Sequence, residues 1–256
     1  MRRLDLRRRA PILALLSAAI LFGAFSRPRA LQLLPVTAKI QIVRDGGVKQ
    51  AAEHGGTDLS NVVVWLTPIG SSTTAATTSE PTRLPPFLTQ HNKTFEPHVL
   101  VVEVGTIVQF PNKDPFFHNI FSLFDGKRFD LGLYEAGTTR SVRFDRPGVS
   151  YLFCNIHAEM SAVVVVVETP YFGISNRSGS IAIPDVPDGR YRLRVWYERS
   201  LPEDLKGLSA PVTISSGSGR SLDAIKVVEN PNFTLAHKNK YGQDYVPPPS
   251  PGYTGP

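Results

Sequence analysis

The sequence predicts an all-β protein built from β-sandwiches, and two observations lead to this prediction. Short segments rich in valine, isoleucine and aromatic residues follow one another along the chain, separated by glycine, proline, asparagine and aspartate. No window of useful length shows the sustained apolar period of about 3.6 residues that a helix packed on a core would need. The predicted strands are residues 37–43, 62–66, 98–104, 106–110, 141–144, 149–153, 162–167 and 191–196.

The length and charge of the chain limit its organisation and its partners. A chain of 256 residues, 41% of them hydrophobic, can form one large domain or two small ones. The formal net charge of +6 is concentrated in the first thirty residues, which hold seven arginines and one aspartate, and the rest of the chain has 21 basic and 21 acidic side chains. The electrostatic argument for a nucleic-acid partner therefore fails, and we expect none.

The N-terminus has the order of segments found in a secretory signal peptide, which we assign to residues 1–30. Arginines come first, an apolar run covers residues 12–25, and Ser26, Arg27 and Pro28 interrupt it. The apolar run has 14 residues, fewer than the roughly 20 that a membrane-spanning helix needs. We therefore expect an exported, periplasmic protein with no membrane span after the signal is cleaved.

A single cysteine is central to the functional prediction. Cys154 is the only cysteine, which excludes an internal disulfide and a four-thiolate zinc site. His157 and Met160 follow it in a C-x2-H-x2-M segment that lies between two predicted strands, so a short loop can turn all three side chains toward one point. A thiolate, an imidazole and a thioether form a soft donor set that suits copper.

A trigonal copper site needs a second imidazole, and the best candidate is His118. It lies 36 residues before Cys154, in the segment PNKDPFFHN. The predicted site has His118, Cys154 and His157 in one plane and Met160 as a long axial ligand.

These residues resemble those of a known family. Residues 93–168 are similar to a cupredoxin, a Greek-key β-sandwich that holds one type 1 (blue) copper ion, and the C-x2-H-x2-M loop resembles that of the amicyanins. The resemblance implies a one-electron carrier whose copper cycles between Cu(I) and Cu(II). It also implies that Asn119 ties the ligand strands together by hydrogen bonds. Asn155 stands where plastocyanin and azurin have serine or threonine, so the partner of Asn119 is left open.

Three large apolar residues lie close to the predicted ligands in the sequence. Phe116, Phe117 and Ile156 are candidates for a docking face beside His157 that also keeps water from the metal, or else they are core residues. The expected partners are one redox protein that donates the electron and another that accepts it.

A second module follows the predicted copper domain. Residues 173–198 contain two turn signals, Ser178-Gly179 and Pro187-Asp188-Gly189, each between apolar segments. This stretch resembles the carboxypeptidase regulatory-like, or transthyretin-like, β-sandwich. The first two strands of such a domain are similar to residues 36–43 and 61–67.

We therefore predict a split transthyretin-like sandwich, formed by residues 31–82 and 170–229, with the copper domain, residues 83–169, inserted between them. The alternative is that the early strands complete the sheet of the copper domain. Residues 230–256 include the proline-rich stretch YVPPPSPGYTGP and have no apolar face, which predicts a disordered or extended tail.

The sequence favours a carrier over an enzyme. No motif combines a hydroxyl nucleophile with a base, and the additional H-x-H clusters of a multicopper oxidase or a copper nitrite reductase do not occur. The whole arrangement is also similar to bacterial exported proteins called "methylamine utilization protein". Two alternatives remain open: a module for copper storage or delivery, and a surface binding protein in which copper only stabilises the fold.

Overall fold

The computed structural model describes residues 34–44, 47–49, 58–70, 85–123, 126–216 and 220–245. These residues form many strands and one short helix, which confirms the prediction of an all-β fold. The predicted signal peptide and the last residues of the predicted tail, 246–256, lie outside the described residues. No helix in the described ranges is long and apolar enough to cross a membrane.

The strands are, in chain order, β1 (Val36–Arg44), β2 (Gly47–Lys49), β3 (Val63–Pro68), β4 (Thr89–His91), β5 (Thr94–Glu96), β6 (Val99–Glu103), β7 (Thr106–Pro111), β8 (His118–Ser122), β9 (Phe129–Tyr134), β10 (Thr139–Phe144), β11 (Gly148–Phe153), β12 (Ser161–Val167), β13 (Phe172–Ile174), β14 (Ser180–Ile183), β15 (Gly189–Trp196), β16 (Ala210–Ile214) and β17 (Ile225–Val228). The helix α1 (Pro202–Gly207) lies between β15 and β16.

Strands β4–β12 form what we call the ligand-loop sandwich, because it contains the C-x2-H-x2-M segment. Five strands form one sheet in the order β6-β12-β11-β8-β9, and β7 pairs with β10 in another. Apolar side chains of both sheets, among them Phe110, Phe144 and Leu152, pack in one core. Because β8 and β11 are neighbours, with Phe121 opposite Phe153, residues far apart in the sequence meet at one end of this sheet.

Strands β1–β3 and β13–β17 form what we call the split sandwich. One sheet has the order β14-β1-β17, and the other has the order β13-β3-β15-β16. Leu66 of β3 lies opposite Leu193 of β15, and side chains of both sheets share one core. Among the described residues, β1 and β3 pair with none of the strands β4–β12. An inserted copper domain requires that the early strands pair with the late ones, as β3 does with β15. The domain bounds stay a prediction.

Strand β12 belongs to two cores. Its even-numbered residues pack in the ligand-loop sandwich, whereas its odd-numbered valines pack with Val63 of β3 and Trp196 of β15. A strand that is buried on both faces loses the alternation of polar and apolar positions. The uninterrupted run SAVVVVV is therefore the sequence of a strand that lies between the two sandwiches.

The helix α1 differs from the prediction that the chain is β throughout. Proline stands in its first turn together with the acidic residues Glu203 and Asp204, which is a favourable composition for a helix N-terminus. Six residues are too few to show a helical apolar period, so the sequence contains no pattern that predicts this helix.

Residues 230–245, which we call the C-terminal segment, are the described part of the tail that the sequence predicts to be disordered or extended. They form no helix or strand, and His237, Lys240 and Tyr245 contact the ligand-loop sandwich. The ring of His237 stacks on Phe153 with 4.1 Å between centroids, and the Tyr245 hydroxyl donates a hydrogen bond of 2.6 Å to the backbone oxygen of Cys154. These contacts are aromatic and polar, so they leave no hydrophobic pattern in the sequence.

An ion pair also joins the two sandwiches. His98 Nε2 lies 2.7 Å from Glu198 Oε2, and His98 Nδ1 lies 3.1 Å from the backbone oxygen of Ser161. The hydrogen bond to Glu198 raises the pKa of His98, against the effect of burial. The protonated imidazole therefore contributes stability that is fully present below pH 6.5, the ordinary pKa of histidine, and is lost as the pH rises through the raised value.

We predict that His98→Gln lowers the free energy of unfolding by about 1 kcal/mol near pH 6 and by much less at pH 9, because only the protonated imidazole forms the ion pair. Urea unfolding of the full chain across this pH range measures the difference. His91→Gln, at an exposed histidine of β4, is the control and should leave the pH profile unchanged. Identical profiles for His98→Gln and the unmutated protein would contradict the prediction.

Candidate metal centre

The C-x2-H-x2-M segment forms a tight loop between β11 and β12. The two strands are paired up to Phe153 and Ser161, so the loop begins and ends at adjacent positions. Within the loop, the Cys154 N–H donates to the Met160 oxygen and the Met160 N–H donates to the His157 oxygen, both at 3.2 Å. These bonds fold the backbone back on itself and hold Cys154 and His157 on the same side.

His118 reaches this loop from the neighbouring strand. It is the first residue of β8, which pairs with β11. His118 Nδ1 lies 3.8 Å from Cys154 Sγ, and His157 Nδ1 lies 3.5 Å from the same sulfur. The ligand atoms of these three residues all lie within 4.8 Å of one another. The structure thus brings together three of the four predicted ligands.

The distance from the sulfur to each imidazole nitrogen fits two ligands of one metal ion. Two atoms bound to the same ion at about 2.0 and 2.3 Å, with a bond angle of about 110–120°, lie roughly 3.5–3.7 Å apart. The two sulfur–nitrogen distances are close to this range. One thiolate and two imidazole nitrogens are the donors of a trigonal copper site. Cys154 and His118 are fully buried, and His157 is half-buried.

Met160 lies in the core of the ligand-loop sandwich and is fully buried. Its backbone oxygen accepts a hydrogen bond from the Cys154 N–H, and its N–H donates to the His157 oxygen, so Met160 is part of the same loop. Its role as the axial ligand stays a prediction.

Burial and hydrogen bonding act in opposite directions on the sulfur. Burial raises the pKa of the Cys154 thiol, and the backbone N–H groups of Asn119, Ile156 and His157 oppose this effect by donating to the sulfur. Burial, together with the neighbouring His118, lowers the pKa of His157. The neutral imidazole that a metal ligand requires is therefore favoured.

Asp114 is a residue of the site that the sequence analysis did not identify. Its Oδ2 lies 2.8 Å from His118 Nε2, and the backbone N–H groups of Asn92 and Lys93 donate to the carboxylate at 2.6 and 2.9 Å. Burial opposes ionisation, yet these donors hold the pKa of Asp114 below its ordinary value. The carboxylate therefore accepts a hydrogen bond from the Nε2–H of His118, which leaves the Nδ1 lone pair directed at the site.

The turn that supplies the two N–H groups explains why this contact was missed. Asn92 and Lys93 join β4 to β5 with φ angles of 52° and 54°, the left-handed conformation of a tight hairpin turn. Asp114 follows β7, so the carboxylate and its donors come from different strands. The only sequence signal was the position of Asp114, four residues before His118. An aspartate at this spacing from a histidine is common by chance.

The two predicted supporting asparagines do not bond to each other. Asn119 Nδ2 donates to Asp130 Oδ1 at 2.6 Å, and Asn155 Oδ1 accepts a bond of 2.9 Å from the backbone N–H of Lys240. Asp130 is thus the partner of Asn119 that the sequence left open. The unusual asparagine after the cysteine binds the C-terminal segment.

The three candidate docking residues are exposed to different degrees. The exposed fractions are 36% for Phe116, 53% for Phe117 and 46% for Ile156. The Phe116 ring lies edge-on to both imidazoles, with centroids 5.2 Å from His118 and 5.7 Å from His157. Phe116 therefore covers the two histidines, and the interpretation of these three residues as core is wrong.

Comparison with known proteins finds similar solved structures. A purple cupredoxin from Nitrosopumilus maritimus is 24% identical, with a TM-score of 0.30, and the match covers 32% of this chain and 99% of that one. A copper-containing nitrite reductase from Thermus scotoductus SA-01 is 24% identical, with a TM-score of 0.33, and the match covers 40% of this chain and 26% of that one. A reduced variant of amicyanin is 20% identical, with a TM-score of 0.31, and the match covers 34% of this chain and 88% of that one. No protein-family model and no curated protein matches the chain. The structural matches leave more than half of the chain uncovered.

We predict that Asp114→Asn weakens Cu(II) binding by roughly 10–100-fold, because the variant loses the charge that orients His118 and favours the divalent ion. Competition with a chelator of known affinity measures the change. Asp145→Asn, which removes an exposed carboxylate, is the control and should bind as the unmutated protein does. Equal affinities for all three proteins would show that Asp114 has no influence on the site.

Proposed function

We propose that this chain is an exported mononuclear type 1 copper protein that carries single electrons between two redox proteins. The observation that supports the proposal most strongly is the convergence of the Cys154 sulfur with Nδ1 of His118 and His157 in a buried site. His118, Cys154 and His157 would hold the ion, and Met160 would supply a fourth ligand. The proposed export depends on the signal segment, residues 1–30.

The bound copper would supply a one-electron couple between Cu(I) and Cu(II). Around it, the protein holds the ligands in a fixed arrangement: Asp114 orients His118, and three backbone N–H groups donate to the Cys154 sulfur. Ligands that are already in place do not have to move when the charge of the site changes. This preorganisation suits a carrier, because a small rearrangement keeps the barrier to electron transfer low.

The position of His157 supports transfer to another protein. It is half-buried, and the exposed apolar side chains of Phe116, Phe117 and Ile156 are its neighbours in space or in sequence. An apolar patch of this kind favours a small and short-lived interface, as electron transfer requires. We propose that the electron donor and acceptor dock here.

Storage or delivery of copper is less consistent with the site. A protein that delivers copper must release the ion readily, whereas His118, Cys154 and Met160 are fully buried. Rapid loss of Cu(I) to a chelator would favour delivery, and slow loss with fast electron exchange would favour the carrier. Unchanged partner binding after removal of the metal would favour a structural role for copper.

We predict an intense visible absorption band from the thiolate-to-copper interaction in the oxidised, copper-loaded protein. The band should be lost entirely in Cys154→Ser, because a hydroxyl is not a thiolate donor. Optical and electron paramagnetic resonance spectra measure both proteins. His91→Gln is the control and should keep the band. A fully loaded and oxidised protein without the band would overturn the proposed function.

We predict that Phe117→Glu slows electron self-exchange between the reduced and oxidised forms by about tenfold at low ionic strength, because two like-charged docking faces repel each other. Nuclear magnetic resonance line broadening in mixtures of the two forms measures the rate. Ile107→Glu, at an exposed apolar residue near the start of β7, is the control. Docking at another surface would be indicated if only the control slowed the exchange.

A further inference from the structure

The C-terminal segment contacts three successive residues at the end of the strand that carries the cysteine ligand. The His237 ring stacks on Phe153, the Tyr245 hydroxyl donates to the Cys154 backbone oxygen, and the Lys240 N–H donates to the Asn155 side chain. The segment follows β17, the last strand of the split sandwich, in the sequence. Its side chains nevertheless contact the candidate metal centre.

Lys240 also makes a second contact, through its ammonium group. Lys240 Nζ lies 2.7 Å from Asp130 Oδ2, and Asp130 Oδ1 accepts the bond from Asn119 Nδ2. The side chains of Lys240 and Asp130 are 22% and 37% exposed, so water only partly screens their attraction. The two contacts of Lys240 complete a continuous bridge of hydrogen bonds, Asn119–Asp130–Lys240–Asn155.

The ends of this bridge define what it does. Asn119 directly follows His118 on β8, and Asn155 directly follows Cys154 after β11. The bridge therefore connects the backbones of two ligands that come from different strands. Among the described residues, no direct bond between the two asparagine side chains takes its place.

We infer that the C-terminal segment is part of the frame of the metal centre, and that Lys240 and Tyr245 are positioning residues that hold Cys154 in place relative to His118. This inference deepens the proposed function and rests on it for the identity of the ion. The bridge itself consists of bonds within the protein, so it can be tested without metal.

The test uses the full chain with Lys240→Met and Tyr245→Phe, separately and combined. Lys240→Met removes the ammonium group and keeps the backbone bond, and Tyr245→Phe removes only the hydroxyl. The matched controls are Lys238→Met, whose ammonium group pairs with exposed Asp244, and Tyr171→Phe, whose ring packs against the core of the split sandwich. Thermal unfolding of every variant verifies that the fold is retained.

The first measurement is amide hydrogen exchange in the metal-free protein. The Cys154 and Met160 N–H groups form the bonds that close the ligand loop, so their exchange rates report its opening. We expect each single variant to accelerate this exchange by about fivefold and the double variant by roughly tenfold or more. The controls should not change it, and Lys240→Arg should restore the rate of the unmutated protein.

The second measurement is made on the copper-loaded protein. The double variant should lose Cu(I) to a chelator roughly tenfold faster and should show an altered copper hyperfine coupling in the Cu(II) spectrum. Unchanged exchange in the metal-free double variant, or equal acceleration in the controls, would overturn the inference. Absence of the thiolate band in the unmutated protein would overturn the proposed function, while the exchange result would still decide the role of the segment.

Discussion

The metal centre depends on the pairing of β8 with β11. That pairing places the first residue of β8, His118, beside the end of β11, where Cys154 begins the ligand loop. The thiol sulfur and two imidazole nitrogens then converge at a site in which Cys154 and His118 are fully buried and His157 is half-buried. A buried cluster of this kind lacks solvent partners, so it is stable only when its polar atoms are satisfied by neighbouring groups or by a bound ion. Asp114 and the backbone N–H groups at the sulfur supply those neighbours.

Local patterns in the sequence predicted the parts of the site that lie within one loop. The spacing of Cys154, His157 and Met160 is visible in seven residues, and the second imidazole followed from the chemistry of a trigonal site. Asp114 was not predicted, because its role depends on a hairpin turn from a different strand. The same holds for Asp130, which meets Asn119 only after β8 and β9 pair.

The alternation of apolar residues predicted the strands, and turn residues predicted where they end. The helix α1 was not predicted because its six residues are too few for apolar positions to repeat with the helical period. The contacts of the C-terminal segment were not predicted, for a different reason. Its contacts are made by a backbone N–H, a single hydroxyl and a stacked imidazole, and such contacts require no run of apolar residues. Composition alone therefore cannot distinguish an anchored extended segment from a solvated one.

The position of β12 between two cores has a consequence for how the protein can be divided. If the ligand-loop sandwich were excised as a separate polypeptide, the outward valines of β12 would lose their cover and form an apolar strip in water. Such a fragment would tend to self-associate, and the remaining half would expose Trp196. Both sandwiches should therefore melt in a single cooperative transition.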